Sequence, residues 1–293
     1  MKTAEIKAVL AQLGRVPNKH LGQNFLIDVS VIHSAIEAGN VQKGDVILEI
    51  GPGLGVLTQV LLNRGVRVLA IEQDRTFADR LEEELGGENL KVIHGDATQV
   101  DWIGELSRFD KEGGSWKMIA NLPYAVTSML LRKALWNINP PSVIEVLVQK
   151  EVAERAIGLM GNSKKHARAS LLSLMIALSA KSARIVRNVP ARCFYPAPKV
   201  QSAILEIVPM TIDERMERWG IDAEEVMKVA KIGFAHPRKQ LASNLGHGVQ
   251  GMERNLDKGR AENALIAIGL DAKIRAEALM VEHWVALAKA LLN

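Results

Sequence analysis

Residues 46–55 read Val-Ile-Leu-Glu-Ile-Gly-Pro-Gly-Leu-Gly, and this stretch predicts the fold of the chain. The run Val46–Ile50 is mostly apolar, which is typical of a strand in a parallel sheet that is covered on both faces. The strand is followed by three glycines, Gly51, Gly53 and Gly55. Glycines between a buried strand and a helix let the backbone approach a ligand closely. The stretch therefore predicts an α/β domain with a ligand site at the end of this strand.

The spacing of the glycines distinguishes two kinds of ligand. In a dinucleotide-binding fingerprint the third glycine falls three places after the second, a position occupied here by Val56. The third glycine is instead Gly55, which favours a loop that binds S-adenosylmethionine through Gly51 and Gly53. Glu72, at the end of the second strand, is predicted to accept hydrogen bonds from the ribose hydroxyls of this cofactor.

A further acidic residue ends the third predicted strand. Asp96 lies in the sequence His-Gly-Asp-Ala at positions 94–97. It is predicted to accept a hydrogen bond from the adenine amino group of the cofactor. An aspartate that caps a helix N-terminus is the alternative interpretation.

Apolar runs alternate with helical patterns through the first two thirds of the chain. Strands are predicted at Val46–Ile50, Val66–Ile71, Leu90–His94, Trp116–Ala120 and Ile144–Val148. Such alternation implies right-handed βαβ units and a doubly wound, Rossmann-like sheet. Two later strands are separated by a loop too short for a crossover helix, which predicts an antiparallel pair, Arg184–Val189 with Ala203–Val208. A parallel sheet that ends in such a pair is typical of class I S-adenosylmethionine-dependent methyltransferases.

The character of the sequence changes after Pro209. The acidic stretch Asp213–Glu217 predicts a linker, and the patterns beyond it are helical, including one long helix over Ile274–Leu292. We therefore expect a methyltransferase domain over residues 1–209. A small all-helical domain is expected over residues 210–293.

The tetrapeptide Asn121-Leu122-Pro123-Tyr124 follows the fourth predicted strand, where α/β enzymes place chemistry. An exocyclic amine of a nucleobase is a poor nucleophile because its lone pair is conjugated into the ring. The Asn121 carboxamide oxygen and a neighbouring backbone carbonyl can accept hydrogen bonds from the amine, and the Tyr124 ring can stack on the base. The four residues therefore predict an amino-methyltransferase site, with an ordinary strand-ending turn as the alternative. A nicotinamide dehydrogenase is disfavoured, since hydride transfer has no use for this motif.

Composition and charge restrict the class of protein. The chain has 293 residues, is 48% hydrophobic and 24% charged, and lacks the roughly 18-residue apolar run of a membrane span. The first 13 residues lack a signal-peptide core, so a cytoplasmic location is expected. Cys193 is the single cysteine, which excludes an internal disulfide framework and a cysteine-rich zinc site.

Positive charge is concentrated in one segment. The formal net charge is +4, but Lys150–Lys199 contains ten Lys or Arg residues and only two acidic residues, Glu151 and Glu154. Solvent-exposed helix faces usually mix both signs of charge. This segment is therefore predicted to contact the phosphates of a nucleic acid.

Taken together, these residues closely resemble those of the ribosomal RNA adenine dimethyltransferases. The resemblance covers nearly the whole chain through several stretches, Lys19–Leu26, Glu49–Gly55 with Leu57-Thr58, Asn121–Tyr124, Gln149–Arg155 and Phe194–Val200. It implies dimethylation of N6 of two adjacent adenines near the 3′ end of small-subunit (16S) ribosomal RNA, within an assembling subunit and by a monomer. S-adenosylmethionine is the implied cofactor. No metal is expected, because the sulfonium already activates the methyl carbon.

The resemblance also implies roles for individual residues. Asn24 and Leu26 border the cofactor, and Asn121 contributes to the cofactor site as well as to catalysis. Phe194 forms a second aromatic wall that holds the target adenine against Tyr124. From the residues alone, Phe194 would be assigned to the hydrophobic core.

Two departures from the family pattern concern RNA docking. Gln201 stands where the family usually has an acidic residue, and the usual basic run of the C-terminal region is reduced to Arg238-Lys239 after Pro237. Two alternative functions remain open. One is the related large-subunit methylase that confers macrolide resistance, and the other is a ribosome-assembly checkpoint that acts mainly by binding.

Overall fold

The computed structural model describes residues 1–18, 23–160, 169–246 and 257–292. Its strands are β1 (Phe25–Leu26), β2 (Val46–Ile50), β3 (Arg67–Glu72), β4 (Leu90–His94), β5 (Trp116–Asn121), β6 (Ile144–Gln149), β7 (Ala180–Val189), β8 (Phe194–Tyr195) and β9 (Ser202–Pro209). Its helices up to the last strand are α1 (Thr3–Gln12), α2 (Val29–Ala38), α3 (Val56–Asn63), α4 (Arg75–Leu85), α5 (Trp102–Phe109), α6 (Thr127–Leu135), α7 (Lys150–Ala156) and α8 (Leu171–Ser179). The later helices are α9 (Ile212–Trp219), α10 (Ala223–Gly233), α11 (Leu241–Gly246), α12 (Lys258–Ala267) and α13 (Val281–Leu292).

A seven-stranded sheet forms the centre of the fold, with the strand order β4-β3-β2-β5-β6-β9-β7. The strands β2 to β6 pair in parallel, and β9 pairs antiparallel with β6. Every residue of β2 is buried, and β3 and β6 are buried along almost their whole length. Such continuous burial is expected of parallel strands that are covered on both faces. The predicted α/β, doubly wound sheet is confirmed, and β7 and β9 are neighbours as predicted.

The structure corrects two predictions for the region after residue 209. The predicted linker Asp213–Glu217 is wrong, because these residues lie inside α9. Thr211 caps this helix by accepting a hydrogen bond from the backbone N–H of Glu214, whose side chain accepts one from the Thr211 N–H. This capping box starts the helix, and the acidic residues Asp213 and Glu214 in its first turn also interact favourably with the positive end of the helix dipole. The single long helix predicted over Ile274–Leu292 is also wrong, since α13 begins at Val281.

The chain forms two compact units, one of residues 1–153 and 182–209 and the other of residues 154–181 and 210–293. The second unit differs from the predicted helical domain, because it includes α8. Residues 172–179 of this helix are all buried, and α8 packs against α9, α10 and α13. A helix that is apolar all round has to be surrounded by other elements. This requirement explains why the division does not follow residue 209 alone.

A small apolar cluster joins the N-terminal helix to the sheet unit. Ile6 and Leu10 of α1 are buried against three residues, Phe25, Leu54 and Phe77. The rings of Phe25 and Phe77 meet edge to face, with their centroids 5.8 Å apart. This geometry places the positive edge of one ring against the negative face of the other. The helix α1 is therefore an integral part of this unit.

A pair of glutamates lies side by side on β6 and β9. Glu145 and Glu206 are direct partners in the antiparallel register, and Arg184 donates two hydrogen bonds to Glu206, at 2.6 and 2.7 Å. The Glu145 side chain is 0% exposed, and neither of its oxygens accepts a hydrogen bond from the described residues. Burial, and secondly the neighbouring Glu206, raises the pKa of Glu145 to about 9. Glu145 is therefore protonated in the folded protein at neutral pH.

We expect Glu145→Gln to stabilise the protein increasingly as pH rises. The folded-state pKa is raised, so the unfolded chain binds fewer protons and the stability of the wild type falls between pH 4.5 and about 9. The neutral glutamine removes this loss. The unfolding free energy of the variant should therefore exceed that of the wild type by an amount that grows by up to about 1.4 kcal/mol per pH unit. Urea unfolding across this range measures it.

The control for this experiment is Glu83→Gln, which makes the same substitution at an exposed position of α4. Its effect on the unfolding free energy should be nearly constant with pH. If the two variants show the same pH dependence, Glu145 is not a buried neutral carboxyl group.

Candidate functional site

A cleft lies at the carboxyl ends of the parallel strands β2 to β5. The loops that follow these four strands all line it, together with the segment around β1. Open α/β sheets bind ligands at this edge because the strand order reverses there. The residues predicted from separate parts of the sequence are brought together here, namely Asn24, Leu26, Gly51, Gly53, Glu72, Asp96, Asn121, Leu122, Pro123 and Tyr124.

The glycine loop after β2 requires two of its glycines for different reasons. Gly53 and Gly55 have φ angles of 55° and 77°, in the left-handed region that other residues rarely adopt. A Cβ on Gly55 would lie 2.5 Å from Leu81 Cδ1, so the Leu81 side chain on α4 would have to shift. A Cβ on Gly53 would lie 3.3 Å from the Phe25 ring, inside the cleft wall. Gly53 therefore leaves the cleft open beside the Phe25 ring, and Gly55 lets α3 begin beside α4.

Glu72 ties this loop to the end of β3. Its Oε2 accepts a hydrogen bond from the Gly53 N–H and its Oε1 accepts one from the Asp74 N–H, both at 2.9 Å. The side chain is buried, and burial raises the pKa of this carboxyl group. The two hydrogen bonds oppose this rise, because they stabilise the charged form. Each carboxylate oxygen can accept more than one hydrogen bond. Glu72 can therefore hold the loop and still accept from a ligand hydroxyl.

Asp96 is exposed at the edge of the cleft, after β4. Its Oδ1 accepts hydrogen bonds from both the backbone N–H and the hydroxyl of Thr98, each at 2.8 Å. This is the turn geometry that aspartate favours. The other oxygen, Oδ2, accepts no hydrogen bond from the described residues. The local turn and the predicted contact with a ligand amino group are thus compatible.

The Asn121 side chain has a defined orientation. Its Nδ2 donates a hydrogen bond of 3.1 Å to the backbone carbonyl of Asn24. A carbonyl can only accept, so the amide nitrogen must face Asn24 and the amide oxygen must point elsewhere. Within the described residues neither Asn121 Oδ1 nor the Leu122 carbonyl accepts a hydrogen bond. Two acceptors are therefore available in the motif.

The rest of the motif is fixed by backbone and side-chain contacts. The Leu122 N–H donates to the Leu147 carbonyl, and the Pro123 carbonyl accepts from the Thr127 hydroxyl at 3.1 Å. The Tyr124 hydroxyl is hydrogen-bonded to Ser202 Oγ at 2.7 Å. Ser202 is fully buried at the start of β9, so this bond fixes the outer end of a half-buried ring.

Phe194 does not line the cleft. It is 3% exposed, pairs with Leu26 across β8 and β1, and packs with Val31 and Cys193 in the main core. The aromatic sandwich with Tyr124 that the resemblance implies is therefore not formed in this structure. The assignment from the residues alone, a core phenylalanine, describes its position.

Sequence reasoning missed a buried acid in the glycine motif. Glu49 is 1% exposed, lines the cleft, and its Oε2 accepts a hydrogen bond of 2.7 Å from the Thr58 hydroxyl. Burial raises the pKa of Glu49 to about 8, opposed by the Thr58 bond and reinforced by Glu72. The sequence did contain a signal for this residue, because a carboxyl group inside an apolar strand needs a hydrogen-bond partner. Thr58 supplies it from the first turn of α3.

The basic segment Lys150–Lys199 is only partly described, because Lys164, Lys165 and Arg168 lie outside the described residues, as do residues 19–22 of the N-terminal motif. Arg184 binds Glu206, Arg187 donates to Ser30 and Ser34 on α2, and Lys181 binds Glu214 at 2.7 Å. Several of its charges thus also make contacts within the protein. Contact with phosphates remains a prediction.

The described residues also bear on a metal site, a reactive thiol and a membrane-spanning helix. Among the described residues, no group of three or more His, Cys, Asp or Glu side chains is arranged to hold a metal ion. The Cys193 thiol is buried. Burial is the larger cause of its raised pKa, and the hydrogen bond to Asp28 is the second. Within the described part of the chain, no helix has both the length and the apolar character that a membrane crossing requires.

Two relatives of similar sequence carry the same name. The chain is 36% identical to the ribosomal RNA small subunit methyltransferase A of Shouchella clausii, over 98% of this chain and 94% of the relative. It is also 36% identical to the protein of the same name from Deinococcus radiodurans, over 98% of this chain and 90% of the relative.

Solved structures show the same fold at lower identity. A dimethyladenosine transferase from Plasmodium falciparum has a TM-score of 0.67 and 23% identity, and the match covers 90% of this chain and 95% of that one. The 23S rRNA methyltransferase ErmE has a TM-score of 0.63 and 24% identity, covering 92% and 100%. The sequence model of the ribosomal RNA adenine dimethylases matches residues 15–291. With the cleft, the glycine loop and the Asn121–Tyr124 motif in place, the chain belongs to the ribosomal RNA adenine dimethylase family.

Proposed function

We propose that this chain uses S-adenosylmethionine to dimethylate N6 of two adjacent adenines near the 3′ end of small-subunit (16S) ribosomal RNA. The observation that carries the proposal is the orientation of Asn121, whose amide nitrogen donates to the Asn24 carbonyl and whose amide oxygen accepts no hydrogen bond from the described residues. The Asn121 amide oxygen and the backbone carbonyl of the next residue, Leu122, are thus two acceptors in one motif, which suits an exocyclic amine with two N–H groups to donate. The family membership and the small-subunit names of the relatives support the choice of substrate.

The cleft residues fit S-adenosylmethionine. Its methyl group is bound to a positively charged sulfur, which activates the carbon for direct transfer to nitrogen. We assign Gly51 and Gly53 to close backbone approach, because a Cβ on Gly53 would crowd the cleft wall. Glu72 is assigned to the ribose hydroxyls and Asp96 to the adenine amino group. Asn24, Leu26 and Asn121 would border the cofactor, with Asn24 near its amino-acid end.

Catalysis would depend on positioning. Asn121 Oδ1 and the Leu122 carbonyl would accept the two N6 hydrogens and favour a tetrahedral nitrogen, whose lone pair then points at the methyl carbon. Holding two reactants in line contributes several kcal/mol, roughly 7–11 at best. The methylated nitrogen is more acidic and can lose its proton late. Pro123 fixes the turn that presents these two acceptors.

Tyr124 would stack on the target adenine. Base–aromatic stacking contributes ~1–3 kcal/mol per base, and the bond to Ser202 holds the ring in a single orientation. The family resemblance implies that Phe194 stacks on the opposite face of the base. Because Phe194 is packed in the core, its side chain would have to leave that cluster to take this place.

The substrate has to present an accessible base. Bases inside a helix cannot reach a cleft, so the target is a loop or a splayed-out nucleotide. We assign backbone contacts to the basic segment Lys150–Lys199 and RNA docking to residues 210–293. The proposed partner is an assembling small subunit, bound by a monomer in the cytoplasm, where subunits are made.

Two alternatives are distinguished by their substrates and by an inactive variant. A large-subunit methylase would modify free large-subunit RNA, whereas the likeness to ErmE at 24% identity shows the fold alone. An assembly checkpoint that acts by binding would be served equally by an Asn121 variant that cannot methylate. Restored subunit maturation by that variant would favour the checkpoint.

We expect the purified protein to methylate small subunits from a strain that lacks this modification. The product should approach two dimethyladenosines per subunit, since two adjacent adenines are the proposed acceptors. Nuclease digestion followed by mass spectrometry of the nucleosides measures it. Methylation of free large-subunit RNA instead would contradict the proposed substrate but would agree with the proposed reaction type.

Asn121→Ala is expected to abolish methylation, because it removes the side-chain acceptor for the N6 amine. The affinity for S-adenosylmethionine should stay within a few fold, since most of the assigned cofactor contacts come from other loops. Calorimetry measures the affinity, and nucleoside mass spectrometry measures the product. A variant that keeps most of its activity would disprove the assigned role of Asn121.

Ser202→Ala should free the Tyr124 ring and lower activity several fold. Burial raises the pKa of Tyr124, whereas its hydrogen bond with Ser202 lowers it, so loss of that bond should raise the pKa further. The chain has two tyrosines, so a Tyr195→Phe background leaves Tyr124 as the single titrating phenol. Alkaline absorbance titration reads its pKa directly. An unchanged titration would show that the bond does not hold the ring in solution.

A further inference from the structure

Lys133 on α6 contacts the loop that follows β4. Its ammonium donates hydrogen bonds to three backbone carbonyls, those of Ala97, Thr98 and Val100, at 3.0, 3.0 and 2.5 Å. An ammonium has three donors, and this arrangement uses one for each carbonyl. Hydrogen bonds from a charged donor are stronger than those between neutral groups. Lys133 therefore fixes three of the four residues that follow Asp96.

The loop 95–100 belongs to the cleft. Asp96 and its neighbours Gly95, Ala97 and Thr98 line it, and the Gly95 N–H donates to the Glu72 carbonyl at 2.8 Å. On its far side the loop leads into α5. The position of Asp96 therefore depends on how firmly the backbone around it is held.

The lysine side chain is half-buried and makes further contacts beside the loop. Its ammonium lies 4.8 Å from the centroid of the Trp102 ring, and Trp102 Nε1 donates to the Ala97 carbonyl at 2.8 Å. Burial lowers the pKa of Lys133, while Asp101 and Asp96 oppose this effect. These contacts anchor the lysine, the tryptophan and the loop to each other.

The same helix is tied to the methyl-acceptor motif. The Thr127 hydroxyl and the Val126 N–H both donate to the Pro123 carbonyl, at the start of α6. Leu130, one turn before Lys133, lines the cleft. The helix α6 thus contacts the Asn121–Tyr124 turn at its first residues and the Asp96 loop through Lys133.

We infer that Lys133 is a positioning residue that sets the affinity for the cofactor by holding the Asp96 loop against the cleft. The inference rests on the proposed function, because Asp96 is assigned to the adenine of S-adenosylmethionine. Lys133 itself does not line the cleft, and it acts through the three carbonyls. The motif residues would keep their geometry when it is removed, since Pro123 is held by Thr127 and Val126.

The test compares Lys133→Met with the matched control Lys117→Met. Lys117 is also half-buried, and its ammonium donates to the Asn40 carbonyl and to Asp45, both at 2.7 Å. It lies at the amino end of β5, whereas the cleft is at the carboxyl end. Methionine keeps the apolar stem of lysine in both variants and removes the charge. Thermal unfolding reports the general cost of each change.

We expect Lys133→Met to weaken S-adenosylmethionine binding roughly tenfold, by calorimetry, and Lys117→Met to leave it within about twofold. The KM for the cofactor should rise with the dissociation constant, while kcat at saturating cofactor stays within a few fold. In the absence of cofactor, the amides of residues 95–100 should exchange hydrogen faster in Lys133→Met alone.

Three outcomes would overturn the inference. Unchanged binding by Lys133→Met, with the wild type binding normally, removes the role of Lys133 and leaves the proposed function intact. Equal loss of binding in both variants shows a general stability effect. Absence of binding by the wild type overturns the proposed function, and the inference with it.

Discussion

The cleft depends on one buried carboxylate. Glu72 accepts the Gly53 and Asp74 N–H groups, so a single side chain joins the glycine loop after β2 to the beginning of α4. Asp74 in turn caps that helix at Thr76 and binds Arg15 from the N-terminal segment. A buried carboxylate is costly without such partners. The same hydrogen bonds that make its burial possible therefore also align the glycine loop with the start of α4 beside the ligand site, and Asp74 extends this connection to Arg15.

Much of this architecture could be predicted from the sequence, because parallel strands impose a simple rule. Each apolar run ends at the same edge of the sheet, so Gly51, Glu72, Asp96 and Asn121 had to converge once the runs were recognised. The glycine spacing and the Asn121–Tyr124 motif carried the chemistry. No structural information was needed for either step.

What the sequence did not predict comes from contacts between distant residues. Ser202 holds Tyr124 across 78 residues, and neither residue type indicates the other. Lys133 has no local motif, since its partners are backbone carbonyls that every residue possesses. The helix α9 was missed because its acidic composition suggested a linker, and the cap at Thr211 outweighed it. The expected place of Phe194 in the cleft came from the resemblance, whereas packing puts it in the core.

The bond between Asn121 and Asn24 separates two properties that are usually found together, the shape of a side chain and the polarity of its hydrogen bonds. Aspartate has the same outline as asparagine, but it would place an oxygen against the Asn24 carbonyl, where two acceptors repel. The segment before β1 therefore selects for an amide at position 121, independently of any base in the cleft. Any ligand that enters meets an acceptor whose direction is already set by the protein backbone.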